Sequence, residues 1–125
     1  MSTPKAPYTI RRKETVAQTN GLQVSEMTLG PGDEVPWHSH STITDTTYCL
    51  HGEIEVSFLG GGGPVRLAPG ESVRVEPERI HRVRNVGAGE ARFLLVQGIG
   101  SYDFVPADTK VRADKNEKRD EETTR

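Results

Sequence analysis

The chain of 125 residues holds one cysteine, Cys49, so no disulfide can form within it, and a lone thiol without a CxxC partner fits a reducing compartment. Aromatic residues supply only 6% and hydrophobic residues 33% of the positions, so the core must be small and largely aliphatic. No stretch approaches the ~20 consecutive apolar residues of a membrane-spanning helix. The opening residues, Met1 to Lys13, lack the apolar centre of a secretory signal. Neither sign of charge dominates: 16 Lys and Arg face 18 Asp and Glu, for a formal net charge of −2, and no segment concentrates basic side chains. These absences predict a soluble, cytoplasmic single domain with neither nucleic acid nor membrane as its partner.

Glycine and proline are present in quantity, 13 and 8, and they punctuate short runs of Val, Leu and Ile. Between them the apolar residues alternate with period two, the mark of half-buried strands, and helical periodicity is nearly absent. Strands are expected near Leu22–Leu29, Glu34–His40, Thr44–His51, Ile54–Leu59, Pro64–Leu67, Glu71–Val75, Ile80–Asn85 and Arg92–Gln97. Turn signals at Gly30-Pro31-Gly32, His51-Gly52, Gly60–Gly63, Pro69-Gly70 and Gly87-Ala88-Gly89 separate them. Short strands so spaced predict an all-β antiparallel sandwich or barrel. The Gly60–Gly63 run reads as a hairpin, since no helix pattern follows it to aim N–H groups at a phosphate.

The ends differ from this centre. Residues 1–20 read as an N-terminal arm, held extended by Pro4 and Pro7 and able to pair with the sheet edge of another subunit. Residues 106–125 read as a charged tail, with six basic and six acidic side chains after Pro106 and Val111 as the strongly apolar residue. Such a tail cannot offset an ordering entropy of roughly 1–2 kcal/mol per residue and is expected to be disordered. The domain proper is expected over 21–105.

Three of the four histidines lie where a metal could gather them. His38 and His40 stand two apart on an expected strand, so alternation sends both imidazoles to one face and Trp37 and Ser39 to the other. On a second strand His81 shares its face with Val83 and Asn85, opposite Arg82 and Arg84. Asp45, beside the strand from Thr46 to Leu50, offers a carboxylate. Three imidazoles and a carboxylate suit divalent Fe, Mn, Co, Ni, Cu or Zn, and affinity order does not choose among them.

The spacing around these residues resembles the cupin superfamily. Gly32, five residues, His38-x-His40, four residues, Asp45, six residues and Gly52 follow the form G-x5-HxH-x3,4-E-x6-G; Gly70 followed by His81-x3-Asn85 is similar to the second cupin motif, G-x5-PxG-x2-H-x3-N. The resemblance covers about residues 21–105. It implies a small double-stranded β-helix, or jelly-roll barrel, with a metal in its mouth held by His38, His40 and His81, and Asp45 at the place of the family's glutamate. Two departures stand out. Aspartate is one methylene shorter, so Asp45 either ligates the metal or orients a ligand through a hydrogen bond. Glu76 and Glu78 stand where the family has Pro and Gly, with Pro77 between them, which bears on the shape of the turn into His81.

Cys49 shares parity with Asp45 and Thr47 and is expected to be a packed, inert side chain. His51 reads as a solvent-facing turn residue, Asn85 as a hydrogen-bonded turn residue, Arg82 and Arg84 as solvated, and Tyr102 with Phe104 as a cap on the barrel end. Trp37, Tyr48 and Leu50 face away from the ligand side, and apolar groups outside a thin barrel point to a homodimer. For the chemistry, three readings stay open: a redox-active metal enzyme of dioxygenase type acting on a small chelating organic substrate, a Lewis-acid isomerase or cyclase of polyketide-cyclase type, or a non-enzymatic module that binds a small ligand or metal. Asp45 is the candidate catalytic carboxylate.

Overall fold

The computed structural model describes residues 10–107. The expected tail lies outside these residues from position 108 on, as does the arm before position 10.

Ten strands and no helix make up the described residues: β1 (Arg12–Thr19), β2 (Leu22–Leu29), β3 (Glu34–Ser39), β4 (Thr44–His51), β5 (Ile54–Phe58), β6 (Val65–Leu67), β7 (Ser72–Val75), β8 (His81–Asn85), β9 (Ala91–Gly98) and β10 (Val105–Pro106). They form two five-stranded sheets, ordered β1-β2-β9-β4-β7 and β10-β3-β8-β5-β6, in which every pairing is antiparallel. Consecutive strands cross repeatedly from one sheet to the other, which is the jelly-roll arrangement. All eight expected strands are present, each within two residues of its expected ends.

Alternation selects the inner faces. On β9 Ala91, Phe93, Leu95 and Gln97 are buried while their neighbours reach solvent or the half-buried rim. Across the gap Val35, Ile54, Val56, Leu67 and Val83 come from the second sheet to meet Met27, Leu29, Cys49, Val75, Phe93 and Leu95. Cys49 is packed in this core, as expected, and its Sγ lies 3.5 Å from the Gly52 carbonyl oxygen. Outside, Tyr48 and Leu50 are exposed, and His51 faces solvent at the end of β4. Gly52 turns the chain at φ 80°, and a Cβ there would stand 2.6 Å from the Glu90 carbonyl oxygen, so the hairpin requires glycine.

One expectation is revised by β1. Residues Arg12–Thr19, read as part of an arm for another subunit, run antiparallel to β2 of the same chain, with Lys13 opposite Met27 and Thr19 opposite Leu22. The strand lies wholly at the exposed edge of its sheet. Its sequence, RKETVAQT, has no alternating apolar face, which is why periodicity did not reveal it.

Candidate metal centre

The site forms at one end of the core, where inward-facing positions change from apolar to polar. His38 reaches it through an irregularity in β3. Val35 pairs with Val83 and His38 with His81, so two residues of β3, Pro36 and Trp37, lie across from one, Arg82. Such a bulge resets side-chain parity and places His38 on the same inner face as Val35. Proline suits the position because it has no N–H to give the ladder. His40 follows the end of β3, Asp45 points inward from β4, and His81 opens β8. All four side chains are buried.

Each imidazole is held by a backbone carbonyl. The Nδ1–H of His38 donates to Pro36 O at 2.6 Å, that of His40 to Asp103 O at 2.5 Å and that of His81 to Arg79 O at 2.9 Å. These bonds assign Nδ1 as the protonated nitrogen in all three rings and turn every Nε2 toward the centre. One ligand atom from each of His38, His40, Asp45 and His81 lies within 4.8 Å of the others. The shorter aspartate reaches the cluster: its Oδ2 is 3.0 Å from His40 Nε2 and 3.4 Å from His81 Nε2.

The electrostatics reflect this crowding of donors. Burial, with the charge of His81, pushes the His38 pKa down to about 3, so this ring is neutral at working pH. Burial also disfavours a charged His40, but the hydrogen bonds to Asp45 and to the Asp103 carbonyl outweigh it and raise its pKa. Both His40 nitrogens face acceptors, Nδ1 the Asp103 carbonyl and Nε2 the Asp45 carboxylate at 3.0 Å. Asp45 is lowered well below the usual carboxylate range, its burial overcome by His40 and His81 beside it. Two buried atoms at the centre have no hydrogen-bond partner, Asp45 Oδ1 and His81 Nε2. An orphaned carboxylate oxygen and an imidazole lone pair fit a cation, since a buried acceptor without a partner costs about 1–3 kcal/mol. The four residues thus form a group that could hold a divalent metal.

Around the cluster lies a cavity of about 20 Å3, room for about one water, lined by Met27, Val35, Val83, Phe93, Leu95 and Phe104 besides His38, His40 and Asp45. Phe104 stacks on His38, with ring centroids 4.5 Å apart and planes 14° from parallel, and the Tyr102 ring lies 5.4 Å from that of His40. The expected cap therefore touches the ligands themselves. Burial and the charges of Asp45 and Asp103 raise the Tyr102 pKa. Asp103, whose carbonyl holds His40, is fixed by its carboxylate to the Ser41 backbone N–H at 2.8 Å and hydroxyl at 2.6 Å.

Two lining residues escaped the sequence reading, Lys13 and Gln97. Gln97 pairs across the sheet with Asp45 and ends the inward series Ala91, Phe93, Leu95, so a polar residue at the end of a buried apolar series was its available signal. Lys13 sits on the strand that periodicity missed. Desolvation lowers its pKa while Asp45 works in the opposite direction.

Other expected residues take structural places. Asn85 Nδ2 donates to the Leu29 carbonyl at 3.0 Å and the Gly89 carbonyl at 2.8 Å, and its Oδ1 accepts from Gly87 N–H at 2.9 Å, so it ties a turn to β2 as expected. Arg82 and Arg84 face away from the cluster but are half-buried rather than freely solvated. Arg84 pairs with Glu55 at 2.8 Å, and Arg82 lies over the Trp37 ring, 4.6 Å from its centroid. Glu78, standing where the family has glycine, adopts the left-handed conformation at φ 70°, and its N–H donates to the His40 carbonyl at 2.7 Å. The turn keeps the glycine-type shape despite the substitution.

The cupin domain family model matches residues 25–97. The chain belongs to the cupin family. This cupin is similar to an uncharacterized conserved protein with a double-stranded β-helix domain from Klebsiella pneumoniae, at 28% identity and a TM-score of 0.68, covering 85% of this chain and 90% of that one. It is also similar to TT1209 from Thermus thermophilus, at 30% identity and a TM-score of 0.65, covering 70% and 82%. In sequence, germin-like protein subfamily 1 member 1 of Arabidopsis thaliana is 31% identical over 88 residues; the match takes in 68% of this cupin and 40% of the length of that relative.

Proposed function

We propose that this cupin is a metal-dependent enzyme of dioxygenase type that acts on a small chelating organic substrate. The observation that carries the reading is the set of three imidazoles, each tied through Nδ1 to a backbone carbonyl so that its Nε2 faces the Asp45 carboxylate. His38, His40 and His81 would hold the ion through Nε2 and Asp45 through a carboxylate oxygen. When bound, a redox-active divalent ion supplies Lewis acidity and one-electron chemistry with O₂.

The chain's own groups prepare that chemistry. His38 is neutral and needs no deprotonation to become a ligand, whereas His40 must release the Nε2 proton it shares with Asp45. The carbonyls of Pro36, Asp103 and Arg79 hold the rings against rotation, so little order is lost on binding. Met27, Val35, Val83, Phe93, Leu95 and Phe104 exclude water and offer an apolar gas such as O₂ a favourable surrounding. Asp45, committed to His40, is a poor free base, and this favours chemistry carried by the ion over proton shuttling by the side chains.

Elemental analysis of protein purified without chelating resin or added metal, followed by O₂-electrode assays with small enols, diketones and hydroxy acids, tests the reading. Stoichiometric iron or manganese with substrate-dependent O₂ uptake supports it. Turnover under argon would instead establish the Lewis-acid isomerase or cyclase, and failure to bind any divalent metal would overturn the metal centre.

A further inference from the structure

We propose that Lys13 and Gln97 form a subsite for a hydroxy acid beside the ligand cluster, Lys13 meeting its carboxylate and the Gln97 side-chain oxygen accepting from one of its hydroxyls. This rests on the metal-centre reading and names the substrate class for it.

Three observations converge. First, Lys13 and Gln97 line the same inner cavity as His38, His40 and Asp45. Lys13 lies opposite Met27, whose side chain is buried, so its Cβ is on the inner face of the sheet, and its Nζ turns toward the mouth, 6.0 Å from the centroid of the Tyr102 ring. Second, Gln97 is 3% exposed and its Oε1 has no hydrogen-bond partner. A buried amide oxygen left without a donor at the wall of a cavity is suited to a ligand that brings a hydroxyl to it. Third, Gln97 and Tyr102 also line a larger cavity of about 270 Å3, whose wall includes Gln18, Thr19, Gln23 and Ser101. The inner cavity has room for about one water, so a single carboxylate oxygen reaches into it, while the outer one offers amides and hydroxyls to the rest of the molecule.

Charge decides which terminal group fits. A divalent ion with one aspartate leaves one positive charge at the centre, and Lys13, exposed on the edge strand, adds a second at its rim. In a cavity walled by aliphatic and aromatic side chains, that field favours a carboxylate over a neutral carbonyl. Lys13 supplies an ammonium donor to the carboxylate, and the unpartnered Oε1 of Gln97 accepts from a hydroxyl on the same molecule.

The test is a titration of the Co(II)-substituted protein with three probes of similar length: gluconate, gluconamide and hexanoate. The visible absorption of the cobalt reports ligand entry, and calorimetry reports affinity. Gluconate is expected to bind at least about tenfold more tightly than either of the others. Lys13→Met should weaken gluconate by about tenfold and leave gluconamide unchanged, while Lys13→Arg keeps most of the affinity. Gln97→Leu should weaken gluconate without altering the cobalt content. Equal binding of gluconate and gluconamide, no binding of gluconate, or an unchanged gluconate affinity in Lys13→Met would overturn the subsite while leaving the metal centre standing. Failure of the wild-type protein to take up cobalt would overturn the metal centre and the subsite together.

Discussion

Replacing Glu78 by glycine should stabilise this cupin, and the size of the gain follows from one backbone angle. At φ 70° the Cβ of Glu78 crowds its own carbonyl, a strain of about 1–2 kcal/mol for a residue other than glycine. Glycine removes it but loses about 0.5–1 kcal/mol more backbone entropy on folding. The side chain itself is exposed, so its removal takes away little packing. The net expectation is about 0.5–1 kcal/mol in favour of Glu78→Gly, or about 2–4 °C in Tm for a domain of this size. Urea melts of the metal-free protein, read by tryptophan fluorescence from Trp37, measure the difference, with Glu78→Ala as the control. Alanine keeps the Cβ and should give no gain. A glycine variant less stable than the parent, or an alanine variant that gains as much, would refute the strain argument. Because the Glu78 N–H to His40 carbonyl bond uses only backbone, metal content should be unchanged in both variants.

Other outcomes follow from the same geometry. Replacing His38, His40 or His81 by alanine should lower metal content measured by elemental analysis, while His51→Ala, which alters an exposed side chain, should leave it near the parent value. Asn85→Ala strips three hydrogen bonds from a buried turn and should destabilise the protein by about 3 kcal/mol in urea melts at ~1 kcal/mol per bond. Acid should destabilise the metal-free protein. Below pH 6.5 the unfolded chain protonates His38 while the folded one does not until about pH 3, so this residue lowers the unfolding free energy by up to about 1.4 kcal/mol per pH unit across that window. Asp45, lowered in the folded state, adds to the loss below pH 3.8, whereas His40, raised in the folded state, stabilises at low pH and loses that contribution as pH rises through its folded value. Urea melts between pH 4 and 8 would show the acid side; stability constant from pH 6 down to 4 would contradict the His38 assignment.

Strand parity made most of the site legible. His38-x-His40 on one face, His81 on another strand and Asp45 nearby all meet at the centre, because alternation is a property of the backbone and needs no tertiary information. The bulge at Pro36 and Trp37 was not legible, yet it decides that His38 shares a face with Val35. Its cause lies in pairing with β8, to which a single strand's sequence gives no access. The reach of Asp45 was left open by chain length alone and depends on how closely β4 approaches β3 and β8. The edge strand β1 was missed for a different reason: a strand with solvent around it carries no apolar period, so its existence is written in the ladder with β2 rather than in its side chains.

With the proposed Lys13 subsite, that edge strand would place selectivity on the part of the molecule where the core has least at stake. The ligand cluster draws on β3, β4 and β8, which also carry core residues, so changes there disturb folding and metal binding together. Lys13 projects from a strand whose loss of one side chain opens no cavity in the core. Under that proposal, a change of charge at position 13 would alter which molecules enter while leaving the ligand cluster intact.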